Sequence, residues 1–264
     1  MKARSALFVT GLMLVFGLPS LHAQADMKAR ITYDKGVSVN VENPVARDNA
    51  VVLPQGVLPF SRISRIDFEF GDGLTAEKCG ILFKSGAIDS LEKLLTAALK
   101  QADPFMNLPG NLDVYLTWQM KVQFWNGRYA EMNKTVDLLR KRNAPSSGLT
   151  GMYTTLAMAE QNRNDDAAKI FAAVDKADAI SEPMALFVRA RLAMTKREYR
   201  QALQYLARVV ILHDKDTEWV PAATLYEGLV YKRTGYLEAA GNVAKELVER
   251  YPDGYWTRRA EELK

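Results

Sequence analysis

The sequence predicts a mainly α-helical chain, a short α-solenoid of about five helical hairpins preceded by a small all-β module. Three observations predict this. The apolar pattern alternates every second residue from Ala29 to Phe70, then changes to a helical period from about Leu74 onward. The helical runs are short, with Gly86, Gly127, Asn162 and Gly235 between successive runs. Aligned, the runs repeat at a spacing of about 35 residues.

Residues 1–25 read as a targeting segment. Lys2 and Arg4 make a positive start, and Ala6 to Leu18 is an apolar run of 13 residues, short for a membrane span. Pro19 and Ser20 interrupt it, and Ala23-Gln24-Ala25 supplies small residues for cleavage. Cleavage is expected after Ala25, with Ala23 as the alternative, and an uncleaved anchor helix is the competing reading. The three-part layout resembles a bacterial Sec signal, which implies a periplasmic protein. No cysteine lies near the cut, so a lipid anchor is not expected.

After the cut the chain has no other long apolar run, so no stable membrane span is expected. Losing the leader removes Lys2 and Arg4 and no acid, so the formal net charge of +4 falls to about +2. With 35 basic and 31 acidic residues well mixed, no nucleic-acid stripe stands out. Cys79 is alone, which rules out an intramolecular disulfide and is expected to be a buried, inert thiol.

The β module is expected over residues 26–71. Ile31 and Tyr33 share one strand face, and Val37, Val39 and Val41 repeat between Ser38, Asn40 and Glu42. Val51 to Leu53 is a short apolar run, and Ile66, Phe68 and Phe70 oppose Arg65, Asp67 and Glu69. Asp34-Lys35-Gly36 and Asn43-Pro44 read as turns. Four short strands predict a small open barrel or meander, marginal alone and leaning on the first helices. Gly71-Asp72-Gly73 reads as the turn between the two parts.

Residues 72–264 carry the helices. Thr217 is expected to cap the helix beginning near Glu218, and Ser181 the one beginning at Glu182-Pro183, where proline suits the first turn. Pro252 stops the helix before it. The clearest copy of the repeat runs from about Pro221 to Gly254, with Gly228 and Tyr231 on its first helix, Gly235 in the turn, and Ala240 and Ala244 on its second. Earlier copies span roughly Pro183–Val220, Gly148–Glu182, Asp113–Ser147 and Gly73–Pro109. Small residues (Gly228, Ala190, Ala202, Ala240) fit where two backbones approach, and Tyr231, Tyr199 and Phe171 fit the wedge between hairpins. No single hairpin can bury its own apolar face, so each needs the next.

These residues make the chain resemble the tetratricopeptide repeat family of exported bacterial type, over about Asp113–Gly254 and from Gly73 at the widest. Only the last copy carries glycine and an aromatic on its first helix. The ending Tyr251 to Trp256, "YPDGYW", also resembles the close of repeats in periplasmic proteins of the outer-membrane assembly and Tol-Pal coordinator type. An α-helical bundle around one centre is the competing architecture.

Little in the sequence points to chemistry. His22 leaves with the leader, and His213 stands near a helix end beside Asp214 and Asp216, too few nitrogen or sulfur ligands for a metal site. Asp165-Asp166 and Glu261-Glu262 read as solvated helix ends. No phosphate loop, nucleophile elbow or Cys/His dyad is present, so no catalytic residue, metal or cofactor is expected.

The family resemblance implies a concave groove lined by the first helix of each hairpin. In this register it would comprise Lys121, Phe124, Phe187, Arg191, Met194, Leu225, Leu229, Lys232 and Arg233, apolar with basic rims, fit for a peptide or helix carrying acidic residues. Core packing is the competing role for Phe124, Phe187, Leu225 and Leu229. The expected function is a non-enzymatic periplasmic scaffold holding another envelope protein, by resemblance a member of a Tol/Exb-like energy-transducing or outer-membrane assembly complex. The alternatives are a carbohydrate- or peptidoglycan-binding module using Trp118, Trp125, Trp219 and Trp256, which read first as packing residues, and self-assembly into an envelope structure.

Overall fold

The computed structural model describes residues 26–264 apart from 35, 143–146, 175–179 and 253; the expected leader and its cut lie outside the described residues. The chain is mainly α with an N-terminal β module. That module has six short strands among the described residues: β1 (Lys28–Tyr33), β2 (Val37–Glu42), β3 (Val45–Arg47), β4 (Ala50–Leu53), β5 (Gly56–Pro59) and β6 (Ile63–Glu69). They form two antiparallel sheets, β2-β1-β6 and β3-β4-β5. Period-two alternation decides which face is inward. Ala29 and Ile31 of β1 lie opposite Phe68 and Ile66 of β6, and all four are buried.

The sequence predicts four strands where six form. β3 and β5 have only three and four residues, too few for alternation to register. A tight turn joins β3 to β4, with Asp48 and Asn49 both at positive φ, the backbone of a two-residue hairpin loop. β6 stops at Glu69, so Phe70, expected within the strand, lies just beyond it and bridges back to Leu74.

One edge of β6 pairs with β1. The other is covered by the connection between the second and third helices. The Ile66 N–H donates to the Pro109 carbonyl at 2.8 Å. The Asn111 side chain both accepts from the Phe68 N–H and donates to the Phe68 carbonyl, each at 2.8 Å, as a neighbouring strand would. Gly110 sits between, at φ 157°, where an added Cβ would lie 1.7 Å from the Ile66 carbonyl oxygen. Arg142 steadies this connection by pairing with Asp113 and donating to the Met106 and Leu108 carbonyls. Phe60 and Phe68 pack on Phe105, and Phe70 packs edge-on against Tyr115 at 4.9 Å. The apolar core therefore runs without a break from the sheets into the helices.

Eleven helices follow among the described residues. Ten pair into five hairpins: α1 (Ala76–Lys84) with α2 (Ile88–Gln101), α3 (Leu112–Trp125) with α4 (Tyr129–Lys141), α5 (Ser147–Glu160) with α6 (Asn164–Val174), α7 (Glu182–Thr195) with α8 (Tyr199–Leu212), and α9 (Trp219–Arg233) with α10 (Leu237–Arg250). All five turns are built alike. Gly86, Gly127, Asn162, Arg197 and Gly235 adopt left-handed backbone. Each donates its N–H to the carbonyl three residues back, and the next residue donates to the carbonyl five back, as in Gly127 to Phe124 and Arg128 to Gln123. This satisfies the last carbonyls of each first helix and launches the second. Glycine marks three of these turns. Asn162 tolerates the conformation, and Arg197 fills the fourth turn in chain order, which the sequence does not reveal.

Helix starts follow the same accounting. Thr75 accepts from the Lys78 N–H at 3.1 Å. Ser181 occupies the expected N-cap position ahead of Pro183, without a side-chain bond. The expected cap at Thr217 is corrected: α9 begins one residue later than expected, its N-cap position falls on Glu218 without a side-chain bond, and Asp216 Oδ1 in the preceding turn accepts from the Glu218 and Trp219 N–H groups at 3.0 and 2.7 Å.

The hairpins stack in chain order, each against the next. Ala190, Ala202, Gly228 and Ala240 are buried where helices come close; a Cβ on Gly228 would meet Leu263 at 2.5 Å and Val243 at 2.9 Å. The stack bends round on itself. The short helix α11 (Tyr255–Ala260) returns to the first hairpin, where the Tyr255 N–H donates to the Gly86 carbonyl at 3.2 Å and Arg258 pairs with Asp89 at 2.8 Å.

Candidate functional site

The inner helices α3, α5, α7 and α9 are apolar round most of their circumference, and α5 is buried from Thr150 to Ala159. The outer helices α2, α8 and α10 carry a single apolar stripe. A helix apolar all round must be covered on both sides. One side meets the outer helices. The other meets its counterparts across the middle of the molecule, where rings pack together: Trp125 lies 5.1 Å from Trp256, 5.9 Å from Trp219 and 6.4 Å from Phe187. The Tyr255 hydroxyl donates to the Trp125 carbonyl.

This corrects the expected groove. Phe124, Phe187, Met194 and Leu225 are buried in that middle, with Phe124 5.3 Å from Tyr153 and Phe187 5.1 Å from Tyr226. Arg191, expected on a basic rim, is only 5% exposed. Leu229 is half-buried. Lys232 donates to the Glu262 and Lys264 carbonyls at 2.8 and 2.5 Å and so clasps the segment that follows α11. Arg233 alone of the nine is exposed. The physical reason is the aromatic load of the inner helices together with α11, which close the concave side with the chain's own residues.

Two carboxylates, Glu218 buried and Glu160 half-buried, organise the polar groups left inside. Glu218 accepts from Lys121 Nζ at 2.7 Å, from Trp125 Nε1 at 3.3 Å and from the Tyr153 hydroxyl. Lys121 also lies over the Trp118 ring, 5.0 Å from its centroid. Glu160 accepts from Arg191 Nε at 2.9 Å and Nη2 at 2.7 Å, and from the Tyr226 hydroxyl at 2.6 Å. The Arg191 guanidinium lies 4.5 Å from the Tyr226 ring centroid. Burial, reinforced by the adjacent carboxylates, raises the Tyr153 and Tyr226 hydroxyls above the usual phenol range. Both therefore stay protonated and act as donors. Breaking such a pair from one side leaves an uncompensated buried charge, at a cost of about 3–5 kcal/mol, so these clusters hold the inner helices in register.

The sequence names Lys121 and Arg191 but not Glu160, Glu218, Tyr153 or Tyr226. A usable signal is present: a lysine or arginine on a helix otherwise apolar all round demands a partner. Among the described residues no three His, Cys, Asp or Glu side chains converge on a point fit for a metal ion. His213 ends α8, 3.6 Å from Glu182. Cys79 is buried, and desolvation pushes its thiol up to about 11, in keeping with an inert thiol. Trp125, Trp219 and Trp256 are buried and Trp118 is half-buried, in keeping with their first reading as packing residues.

The outer surface is different. A cavity of about 300 Å³ opens between α6 and α8 over the back of α7, walled by Phe171, Arg189, Leu192, Lys196, Gln201 and Tyr205 among others. Large apolar side chains also stand exposed in pairs on the outer helices, Ile211 with Leu212 at the end of α8 and Tyr236 with Leu237 at the start of α10. No family model matches the chain, and no curated protein matches it.

Proposed function

We propose that the protein is an exported, non-enzymatic interaction scaffold of the bacterial cell envelope, periplasmic after removal of residues 1–25, and that it holds another envelope protein on its outer helices. The observation that carries this reading is the stack itself. Five hairpins of one turn geometry form a frame whose concave side is filled by its own α11, so the surface left for a partner is that of α4, α6, α8 and α10. The resemblance to tetratricopeptide repeats supports the same class of function, and the likeness of residues 251–256 to Tol-Pal coordinator and outer-membrane assembly proteins supports the compartment and the kind of complex.

The test is site-specific photo-crosslinking in cells. A photoreactive residue is placed in turn at Lys134, Gln204 and Lys245, all exposed on outer helices, and cells are fractionated. A discrete adduct with one envelope protein from at least one position, with the chain in the periplasmic fraction, is expected. A cytoplasmic chain, or no adduct from any position, overturns the reading.

A further inference from the structure

We draw no further inference here: the strongest candidate, the row of exposed valines that Val45, Val52 and Val57 form in register across the sheet β3-β4-β5, is an apolar face for which nothing in the structure shows what covers it.

Discussion

Arg197 does a glycine's work. Four of the five hairpin turns place Gly or Asn at the left-handed position, and the fourth in the chain places arginine at φ 62°. An L-residue with a full side chain pays about 1–2 kcal/mol for that backbone, partly offset by the greater freedom glycine has when unfolded. Arg197→Gly is therefore expected to stabilise the protein by about 0.5–1 kcal/mol, seen as a higher Tm. An unchanged or lower Tm would mean that the arginine side chain makes a compensating contact. The same residue shows the reach of the sequence. A turn glycine is legible because few other residues tolerate its conformation; an arginine forced into it by the packing around it is not. Asp216, in place of Thr217, as the side chain that meets the N–H groups at the start of α9 is a similar case, since either can accept such bonds and only the path of the turn decides between them.

At the scale of elements, the outer helices and the turns were legible because one apolar stripe and one punctuating residue are local signals. The short strands β3 and β5 were not, because three or four residues carry no period. The groove expected on the inner helices fails for a subtler reason. It follows from the family register, whereas an apolar circumference requires cover on both sides, and Phe124, Phe187 and Leu225 take their competing role as core. The join between sheet and helices lay further beyond reach, since it depends on Gly110 and Asn111 meeting a strand some 40 residues earlier. It can be tested directly. Gly110→Ala places a methyl group against the Ile66 carbonyl in a backbone region closed to alanine, and is expected to cost about 2 kcal/mol or more. Urea unfolding should show the loss, together with faster amide exchange at Ile66 and Phe68. A wild-type midpoint would show that the connection can shift away without loss.

The whole molecule is a row of repeats whose last element touches its first. α11 brings Trp256 and Tyr255 against Trp125, and Leu263 against Gly228. Removing residues 255–264 should therefore uncover the centre. Trp125 would meet water, so the tryptophan emission maximum is expected to move to the red and the unfolding transition to broaden, as hairpins in an open row loosen one after another. A truncated chain with native emission and one sharp transition would show that the inner helices seal the middle without it.

Contact between Gly86 and residues 254–255 has a further consequence, for how the protein can change over time. Open arrays lengthen or shorten easily, because a duplicated unit slots in and its neighbours slide apart. Here an extra hairpin would drive the two termini of the row away from each other and tear the bond from Tyr255 to the Gly86 carbonyl. The number of repeats is locked by geometry, so new specificity must come from substitutions on the outside and not from adding modules.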